Sequence, residues 1–406
     1  MLRRVVVVGA SLAGLRAAEA LRRRGFDGSL ALVGAEPHAP YDRPPLSKQL
    51  LRGEWTAERV QLRSQADLHA LALDLRLGVR AERLDPARRV LQLADGSELG
   101  YDGLVIATGA TPRTLAGAPA LRGVHVLRTL DDALALRQAL DARPRVCVVG
   151  AGFIGLEVAA SCRTLGLAVT AVEPLPLPLS NKLGSDMASV LADLHRDHGV
   201  SLRCGVGVVG LEGHGRVERV RLTDGSAVEA DLVVVGVGVQ PAVEWLAGSG
   251  IAISDGVLCD ETCATSLPDV VAAGDVACWR NPRFDERRRV EHWSNAGEMA
   301  SHAVDRLLGG VTFREPFAPV PYFWSDQYDL KLQVVGSVRA DDDVQIVEGA
   351  LAERKLVALY GRDGRLTGAV CMNRPAQLVR YRRLLHQDVE FATAVRDARA
   401  PTTGAG

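Results

Sequence analysis

The chain has 406 residues and a formal net charge of −1, from 48 basic and 49 acidic side chains. A chain of this length is expected to form two or three domains. The balanced charge argues against a nucleic-acid-binding protein, and no apolar run reaches the ~18 residues of a membrane-spanning helix. The seven cysteines are scattered, with no Cys-x-x-Cys pair, which predicts unpaired thiols, no metal site and a cytoplasmic location.

One sequence pattern occurs twice. Residues 4–14 read RVVVVGASLAG, and residues 145–155 read RVCVVGAGFIG. In each copy an apolar strand runs into a glycine turn and an alanine-rich helix, and a second strand ends at an acid, Glu36 or Glu173. Each acid follows its last glycine by about 20 residues, as in the dinucleotide-binding fingerprint. The two copies therefore predict two Rossmann-type nucleotide-binding domains.

The residue types suit this chemistry. The first glycine permits a tight turn, the second lets the backbone approach a pyrophosphate, and the third lets the helix pack on the strand. The helix N-terminus then presents its amides to the phosphates, and the acid accepts hydrogen bonds from a ribose. In the first copy, Ser11 stands where the second glycine is expected.

Further apolar strands end in glycine turns at residues 101–109, 231–238 and 266–275. Their order indicates that the first domain is interrupted by the second and resumes after it. From residue 317 onwards aromatic residues cluster and short alternating strands follow. The sequence thus predicts one nucleotide-binding domain at residues 1–113 with 246–316, a second one inserted at 114–245, a separate α+β domain at 317–395 and a flexible tail at 396–406.

Several motifs together resemble one family. They are Gly9–Gly14, residues 40–48 (PYDRPPLSK), Ala107–Gly109, Gly150–Gly155, residues 273–275 (AGD), residues 290–295 (VEHWSN) and residues 323–327 (FWSDQ). In this combination and order the chain resembles the NADH-dependent FAD ferredoxin reductases of bacterial oxygenase systems, the type found with putidaredoxin and with aromatic dioxygenases. The likeness extends over nearly the whole chain.

The resemblance implies a glutathione-reductase-like α/β fold with two Rossmann-type domains and a C-terminal α+β domain. The first Rossmann-type domain would be the FAD-binding domain, the inserted one the NADH-binding domain, and the C-terminal domain would cover the flavin. It implies hydride transfer from NADH to FAD, followed by single-electron transfer to a two-iron two-sulfur ferredoxin. That ferredoxin would supply a haem-thiolate mono-oxygenase or a Rieske-type oxygenase. The expected enzyme is an FAD-dependent ferredoxin–NAD(+) reductase.

The resemblance also implies roles for individual residues. Lys48 would lie near the flavin N5 edge and Glu157 near the nicotinamide, as the catalytic pair. The residues implied to contact FAD are Gly9, Ser11, Leu12, Ala13, Gly14, Glu36, Arg43, Lys48, Ala81, Ala107, Thr108, Gly109, Arg128, Gly274, Asp275, Glu291, His292, Trp293 and Trp324. Those implied to contact NADH are Gly150, Gly152, Phe153, Ile154, Gly155, Glu157, Glu173, Gly236, Val237 and Gly238. Asn181-Lys182 departs from the family, in which an arginine often follows the acid of the NAD domain.

Simpler interpretations remain open at this point. Lys48 could be a surface lysine, Trp293 and Trp324 could be core aromatics, and Glu157 could only complement its helix dipole. Arg280, Arg283, Arg287, Arg288 and Arg289 could form either a solvated loop or a docking patch for an acidic ferredoxin.

Three other functions compete with the ferredoxin reductase. A thiol-dependent flavoenzyme needs a reactive cysteine near the flavin, and residues 36–60 contain none. A reductase of a small-molecule acceptor needs only an open flavin edge and stays an alternative. A protein that binds FAD and NADH without turnover is a minor alternative.

Overall fold

The computed structural model describes residues 2–117 and 119–400. Its helices are α1 (Leu12–Arg23), α2 (Gln65–Ala70), α3 (Leu130–Leu140), α4 (Phe153–Thr164), α5 (Ser180–Asp197), α6 (Trp293–Gly309), α7 (Leu378–His386) and α8 (Phe391–Arg399). Its strands are β1 (Arg4–Val8), β2 (Ser29–Gly34), β3 (Asp74–Leu77), β4 (Ala81–Asp85), β5 (Val90–Leu93), β6 (Glu98–Gly100), β7 (Gly103–Ile106), β8 (Ala110–Pro112), β9 (Val124–His125), β10 (Val146–Val149), β11 (Val169–Glu173), β12 (Ser201–Cys204), β13 (Val208–Glu212), β14 (Arg219–Leu222), β15 (Ala227–Glu229), β16 (Leu232–Val235), β17 (Val239–Pro241), β18 (Ile253–Ser254), β19 (Gly256–Leu258), β20 (Val270–Ala272), β21 (Ala277–Asn281), β22 (Glu286–Arg288), β23 (Tyr322–Gln327), β24 (Leu330–Gly336), β25 (Asp343–Ala350), β26 (Lys355–Arg362) and β27 (Arg365–Met372).

The chain divides into two compact units. The first extends to Asp42 and also contains Glu58–Thr111 and Val239–Pro321. The second contains Arg43–Ala57, Pro112–Gly238 and the chain from Tyr322 onwards.

The first unit is built on a parallel sheet with the strand order β20–β7–β1–β2–β3. The valines of β1 and the apolar residues of β7 are buried, as is typical of parallel strands covered on both faces. Helix α1 packs against α6, and α6 also contacts β20 and β7. All carboxyl ends of these strands lie at one edge, where an open α/β sheet binds its ligand.

The second unit repeats this arrangement. Its parallel sheet has the order β12–β11–β10–β16–β9, and α4 packs on β10 and β11. A three-stranded antiparallel sheet, β13–β14–β15, lies in the same unit. The repeated sequence pattern thus corresponds to a repeated strand–turn–helix–strand fold.

The C-terminal part of the second unit is an antiparallel sheet with the order β23–β24–β27–β26–β25, followed by α7 and α8. Leu156 of α4 and Leu191 of α5 share one buried core with Leu332 and Tyr360 of this sheet. The Tyr360 hydroxyl also donates to the Leu183 carbonyl, at 2.6 Å. This shared core is why residues from 322 onwards form one unit with the second nucleotide fold.

The unit boundaries differ in detail from the predicted domain boundaries. The chain changes unit after Thr111, after Gly238 and after Pro321, and Arg43–Ala57 belongs to the second unit. Helix α8 ends at Arg399, so residues 396–399 of the predicted tail are helical, because α8 packs on β25, β26 and β27. The tail from residue 401 onwards lies outside the described residues.

Candidate functional site

The two glycine turns have matching geometry. Gly9 and Gly150 have φ angles of +115° and +94°, which side chains rarely adopt. A Cβ atom on Gly14 would lie 1.8 Å from the Gly9 carbonyl oxygen, and one on Gly155 would lie 2.0 Å from that of Gly150. Each helix therefore starts directly against its turn because a glycine sits at the contact.

The helices after these turns leave their N-terminal amides without side-chain caps. In α2 and α3, Ser64 with Asp67 and Thr129 with Asp132 form complete capping boxes. By contrast, Ser11 and Gly152, the N-cap residues of α1 and α4, make no side-chain capping bond, and neither first turn contains an acid. Uncapped amides at a helix N-terminus form a site for a phosphate.

The start of α4 in the second copy is more open than the start of α1 in the first. No protein atom lies within 4 Å of a Cβ placed on Gly152. The residues expected beside it, Phe153 and Ile154, open α4, and Ile154 is 49% exposed. Leu12 and Ala13, their counterparts in α1, are buried.

Several predicted FAD residues of the first unit lie at the carboxyl edge of its parallel sheet. Ala107, Thr108 and Gly109 follow β7, and the Thr108 hydroxyl donates to the Ala242 carbonyl at 2.8 Å. Glu36 follows β2 and accepts a hydrogen bond from the Tyr41 hydroxyl. Gly274 and Asp275 follow β20.

Gly274 brings this edge close to α1. Its φ is +79°, and a Cβ there would lie 3.0 Å from the Ala13 methyl group. Ala81 is the buried first residue of β4 in the same unit.

Helix α6 begins at two of the predicted FAD contacts. His292 is its N-cap residue and Trp293 its first residue, and the first turn contains no acid. Trp293 is 38% exposed and donates from Nε1 to Asp42 Oδ1 at 2.7 Å, so it is not a core aromatic. Glu291, just before the helix, pairs with Arg289 at 2.8 Å.

In the second unit, Glu173 is bound by the fold itself. Its Oε2 atom accepts from the Ala151 backbone N–H at 2.7 Å, and its Oε1 atom accepts from that of Leu175 at 3.0 Å. The carboxylate is buried at the end of β11. The sequence spacing did not predict this hydrogen bond from the glycine turn, at Ala151, to Glu173.

The next predicted NADH contacts lie in the turn after β16, a strand of the same sheet as β11. The Gly236 N–H donates to the Val149 carbonyl at 2.7 Å, and Gly238 has a φ of +98°. Val237 between them is 38% exposed. Asn181 and Lys182 are exposed in the first turn of α5, before a break in the helix at Gly184.

Lys48 and Glu157 form a buried ion pair. Lys48 Nζ lies 2.7 Å from Glu157 Oε2, and the two residues are 5% and 3% exposed. The segment Pro44–Ser47 forms a short 3-10 helix that contacts α4 and carries Lys48 to it. Lys48 is therefore not a surface lysine. Glu157 is the fifth residue of α4, beyond the first turn, so its partner is Lys48 rather than the helix terminus.

Three further side chains surround this pair, and sequence analysis missed them. The Ser47 hydroxyl donates to Glu157 Oε2 at 2.5 Å, and the Ser325 hydroxyl donates to Glu157 Oε1 at 2.7 Å. Gln327 Nε2 donates to the Ser325 oxygen at 3.0 Å. A usable signal was the alternation of β23, which places Phe323, Ser325 and Gln327 on one face.

The remaining predicted FAD residues also lie in the second unit. Arg43 donates from Nη1 to the Arg128 carbonyl at 2.6 Å, which ties the two predicted flavin contacts together. Trp324 lies on the face of β23 opposite Ser325 and is half-buried. Its ring stacks on Tyr322, with centroids 5.8 Å apart.

Most arginines of the possible docking patch make side-chain bonds within the protein. Arg289 is only 8% exposed and pairs with Asp255 and Glu291. Arg280 pairs with Glu261 and Asp285, Arg288 pairs with Glu286, and Arg283 donates to the Ala318 carbonyl. Three of the five arginines thus have an acid beside them, and a docking role for the patch stays a prediction.

The described residues show little that would support thiol or metal chemistry. The seven cysteines are unpaired, and all except the half-buried Cys204 are buried. Burial raises the pKa of the Cys147, Cys162 and Cys371 thiols to about 12, far from the thiolate that reactive cysteines require. Within residues 2–117 and 119–400 there is no group of His, Cys, Asp and Glu suited to a metal ion. No helix there is long and apolar enough to cross a membrane.

These features fit two dinucleotides. Two helix N-termini without a side-chain cap, each over a positive-φ glycine turn, suit two phosphates, and Gly152 leaves space beside the second. The carboxyl edge of each sheet supplies polar groups next to its turn. The buried Lys48–Glu157 pair lies beside the start of the second nucleotide fold and places a cation and an anion in a fixed arrangement.

Comparison with known proteins gives the same result. Residues 3–300 match the family model described as pyridine nucleotide-disulphide oxidoreductase, and residues 322–402 match one described as reductase C-terminal. The ferredoxin reductase subunit of 5,5'-dehydrodivanillate O-demethylase from Sphingobium sp. is 39% identical over 94% of this chain and 92% of its own length.

Two solved structures are similar throughout. The covalent complex of putidaredoxin reductase with putidaredoxin matches with a TM-score of 0.91 and 33% identity, over 98% of both chains. The ferredoxin reductase of the CYP199A2 system from Rhodopseudomonas palustris matches with a TM-score of 0.90 and 36% identity, over 98% of this chain and 100% of that one.

Proposed function

The chain belongs to the pyridine nucleotide-disulphide oxidoreductase family, and from this premise we propose that it is an NADH-dependent, FAD-containing ferredoxin reductase. Proteins of this family and the named ferredoxin reductases use FAD and NAD(P)H. The observation that carries the proposal is the presence of two uncapped helices over glycine turns, one in each unit. A protein that uses one nucleotide has no need of the second site.

The first unit would bind FAD and the second NADH. Gly9–Gly14 and the start of α1 would hold the FAD pyrophosphate, with Glu36 at the ribose and Asp275 at the ribityl hydroxyls. The start of α6, at His292 and Trp293, would direct its amides and its dipole at the ring. Ala81, Ala107–Gly109, Gly274 and Glu291 would line the same site.

In the second unit, Gly150–Gly155 would hold the NADH pyrophosphate. Gly236–Gly238 would lie along the nicotinamide side, and Trp324 of β23 would cover the flavin. Arg43 and Arg128, joined by their hydrogen bond, would also contact FAD.

The chemistry supplied by bound FAD is the exchange of the electron pair of NADH for two single electrons, which a two-iron two-sulfur ferredoxin can accept. The chain's own contribution is to hold Lys48 and Glu157 as a buried, opposite pair. Lys48 Nζ would place its positive charge at the flavin edge. Glu157 would keep that ammonium group fixed and line the nicotinamide site, and the burial of both residues would exclude water.

The acceptor would be a ferredoxin of a haem-thiolate mono-oxygenase or a Rieske-type oxygenase. This is supported by relatives named as reductase components of a demethylase and of a p-cumate dioxygenase system, and by the solved complex with putidaredoxin. NADH would be preferred to NADPH because the Glu173 charge would repel a 2′-phosphate. A cytoplasmic location is supported by seven unpaired cysteines.

A small-molecule acceptor is the second candidate, since it would need only access to the flavin. The thiol-dependent alternative has no support, because no cysteine lies in residues 36–60 and burial raises the pKa of the thiols elsewhere in each unit.

The test is a purified holoprotein assayed with NADH and cytochrome c, with and without a two-iron two-sulfur ferredoxin. We expect a yellow protein that releases FAD on unfolding, and cytochrome c reduction that depends on the ferredoxin. Ferricyanide serves as the control acceptor because it needs only the flavin. An apoprotein that does not bind FAD would contradict the whole proposal. Equal cytochrome c reduction without ferredoxin, at normal ferricyanide turnover, would favour the small-molecule acceptor.

A further inference from the structure

Glu157 is unusual among the buried acids because its two carboxylate oxygens accept from side chains of two different segments. Oε2 accepts from Lys48 and Ser47, and Oε1 accepts from Ser325. An ionised carboxylate can only accept hydrogen bonds, so each of these partners must donate.

The donation by Ser325 determines the direction of every further bond. Its single hydroxyl hydrogen points at Glu157, and its oxygen must therefore accept from Gln327 Nε2, at 3.0 Å. The Gln327 amide is thereby oriented with Oε1 towards His195 Nε2, at 2.9 Å. His195 Nε2 must then carry a hydrogen. Ser325, Gln327 and His195, with these three hydrogen bonds, are called the Glu157 network below.

His195 suits this position as a neutral ring. It is fully buried in α5, and this burial lowers its pKa to about 4. Its other nitrogen, Nδ1, faces the Tyr328 hydroxyl at 3.5 Å, which is consistent with an unprotonated Nδ1. The network thus begins at a neutral histidine on α5 and ends at a carboxylate on α4.

The network is also enclosed. Ser325 and Gln327 are each 1% exposed and His195 is 0% exposed. Without such donors, the buried Glu157 carboxylate would have only the Lys48 segment to compensate the loss of water. With them, its orientation is fixed from two sides.

We propose that Ser325, Gln327 and His195 are positioning residues that hold the Glu157 carboxylate against Lys48. The consequence for turnover rests on the function proposed above, in which this pair lies beside the flavin and the nicotinamide. The three residues act through Glu157 and contact neither nucleotide in this proposal.

The first test reads the histidine directly in the wild-type holoprotein. Nitrogen-15 NMR of protein labelled at histidine, with His195 assigned by the loss of its signals in His195→Gln, reports the ring tautomer. We expect a neutral ring with hydrogen on Nε2 at pH 7. A neutral ring with its hydrogen on Nδ1 would make Nε2 an acceptor, reverse the direction of the network and overturn the proposal.

The second test breaks the link next to Glu157. We expect Ser325→Ala to slow the reduction of the bound flavin by NADH about tenfold, as for loss of one hydrogen bond to a charged group. Gln327→Met should slow the same step, but less. Thr367→Val is the matched control, since it removes a buried hydroxyl of the same sheet that bonds only to the Tyr360 carbonyl.

A double-mutant cycle separates positioning from general damage. If Ser325 acts through Glu157, Ser325→Ala should have no further effect on rate or pH profile in a Glu157→Gln background. An unchanged tenfold loss in that background would overturn the proposal, as would an equal loss in Thr367→Val. None of these measurements uses ferredoxin. A failure to reduce ferredoxin, with the predicted tautomer and cycle, would therefore count against the proposed function alone.

Discussion

The two nucleotide-binding folds have the same strand–turn–helix backbone, but side chains at equivalent positions differ in burial and in bonding partners. Two residues after the last glycine, α1 carries Arg16 and α4 carries Glu157. Arg16 is 25% exposed and pairs with Glu19 on its own helix, which also pairs with Arg63. Glu157 is buried and pairs with Lys48, more than a hundred residues away in sequence.

The acids at the ends of the second strands differ in the same way. Glu36 is half-buried and bonds to a tyrosine hydroxyl, whereas Glu173 is buried and bonds to the backbone N–H groups of Ala151 and Leu175. The comparison shows that a duplicated motif preserves the turn and the helix start. The side chains around it are set by what each copy packs against.

Removing Glu157 should have the largest effect on stability. Glu157→Ala leaves the Lys48 ammonium buried and unpaired, so we expect the free energy of unfolding to fall by about 3–5 kcal/mol. Arg16→Ala, at the equivalent position of α1, should change it by less than about 0.5 kcal/mol. Urea unfolding followed by tryptophan fluorescence measures both. Replacing the pair together, Lys48→Met with Glu157→Leu, should cost less than Glu157→Ala alone, and the reverse ranking would show that the pair is not the cause.

Lowering the pH should destabilise the folded protein because His195 is buried. Burial lowers the His195 pKa to about 4 in the folded protein, below the ordinary value of 6.5. Between these pH values the unfolded chain binds more protons, so stability falls as pH decreases from 6.5 towards 4, by at most about 3 kcal/mol. His195→Gln should flatten the dependence of the unfolding temperature on pH in this window. His214→Gln, at a fully exposed histidine, should leave it unchanged, and similar curves for both variants would refute the assignment.

Replacing Glu173 and replacing Glu36 should lower the free energy of unfolding by different amounts. Glu173→Ala removes the acceptor of two backbone N–H groups, and we expect a loss of about 2 kcal/mol in the free energy of unfolding. Glu36→Ala should lose less than about 1 kcal/mol, because the hydrogen bond it loses belongs to a half-buried side chain. Glu173→Ala should also narrow the ratio of kcat/KM for NADH over NADPH, since it removes a charge that repels the 2′-phosphate. Equal use of both nucleotides by the unchanged enzyme would show that Glu173 does not set this preference.

The smallest change in stability should come from giving the glycine turn of the second copy the serine that the first copy has. Gly152→Ser gives the second copy the residue of the first, at a φ of −72° that any residue adopts and with no protein atom near the new Cβ. We expect the free energy of unfolding to stay within about 0.5 kcal/mol of wild type. The KM for NADH should nevertheless rise about tenfold, because the side chain would enter the space left for the pyrophosphate. An unchanged KM for NADH would contradict the placement of the pyrophosphate beside Gly152.

Local sequence patterns predicted the parts of the fold that depend on neighbouring residues. The buried strands and the glycine turns both follow from local sterics and hydrophobicity. The Lys48–Glu157 contact and the Glu157 network could not be predicted from such patterns, because they join β23, α4 and α5 with the segment before Lys48.

The arginine run shows a different limit. Asp285, Glu286 and Glu291 lie within and just after the same run. Arg280, Arg288 and Arg289 pair with these acids, and Arg289 also pairs with Asp255. Charge patterns predict a docking surface only when the neighbouring acids are included.

The buried cysteines have a practical consequence. Cys259, Cys263 and Cys278 lie in the first unit, and Cys147, Cys162 and Cys371 lie in the second, all enclosed in the folded state. An alkylating reagent can reach such thiols only when the surrounding structure opens. The chain therefore carries two sets of intrinsic labels, and mass spectrometry of the alkylated peptides over time would report the opening rate of each unit separately, without an added dye or tag.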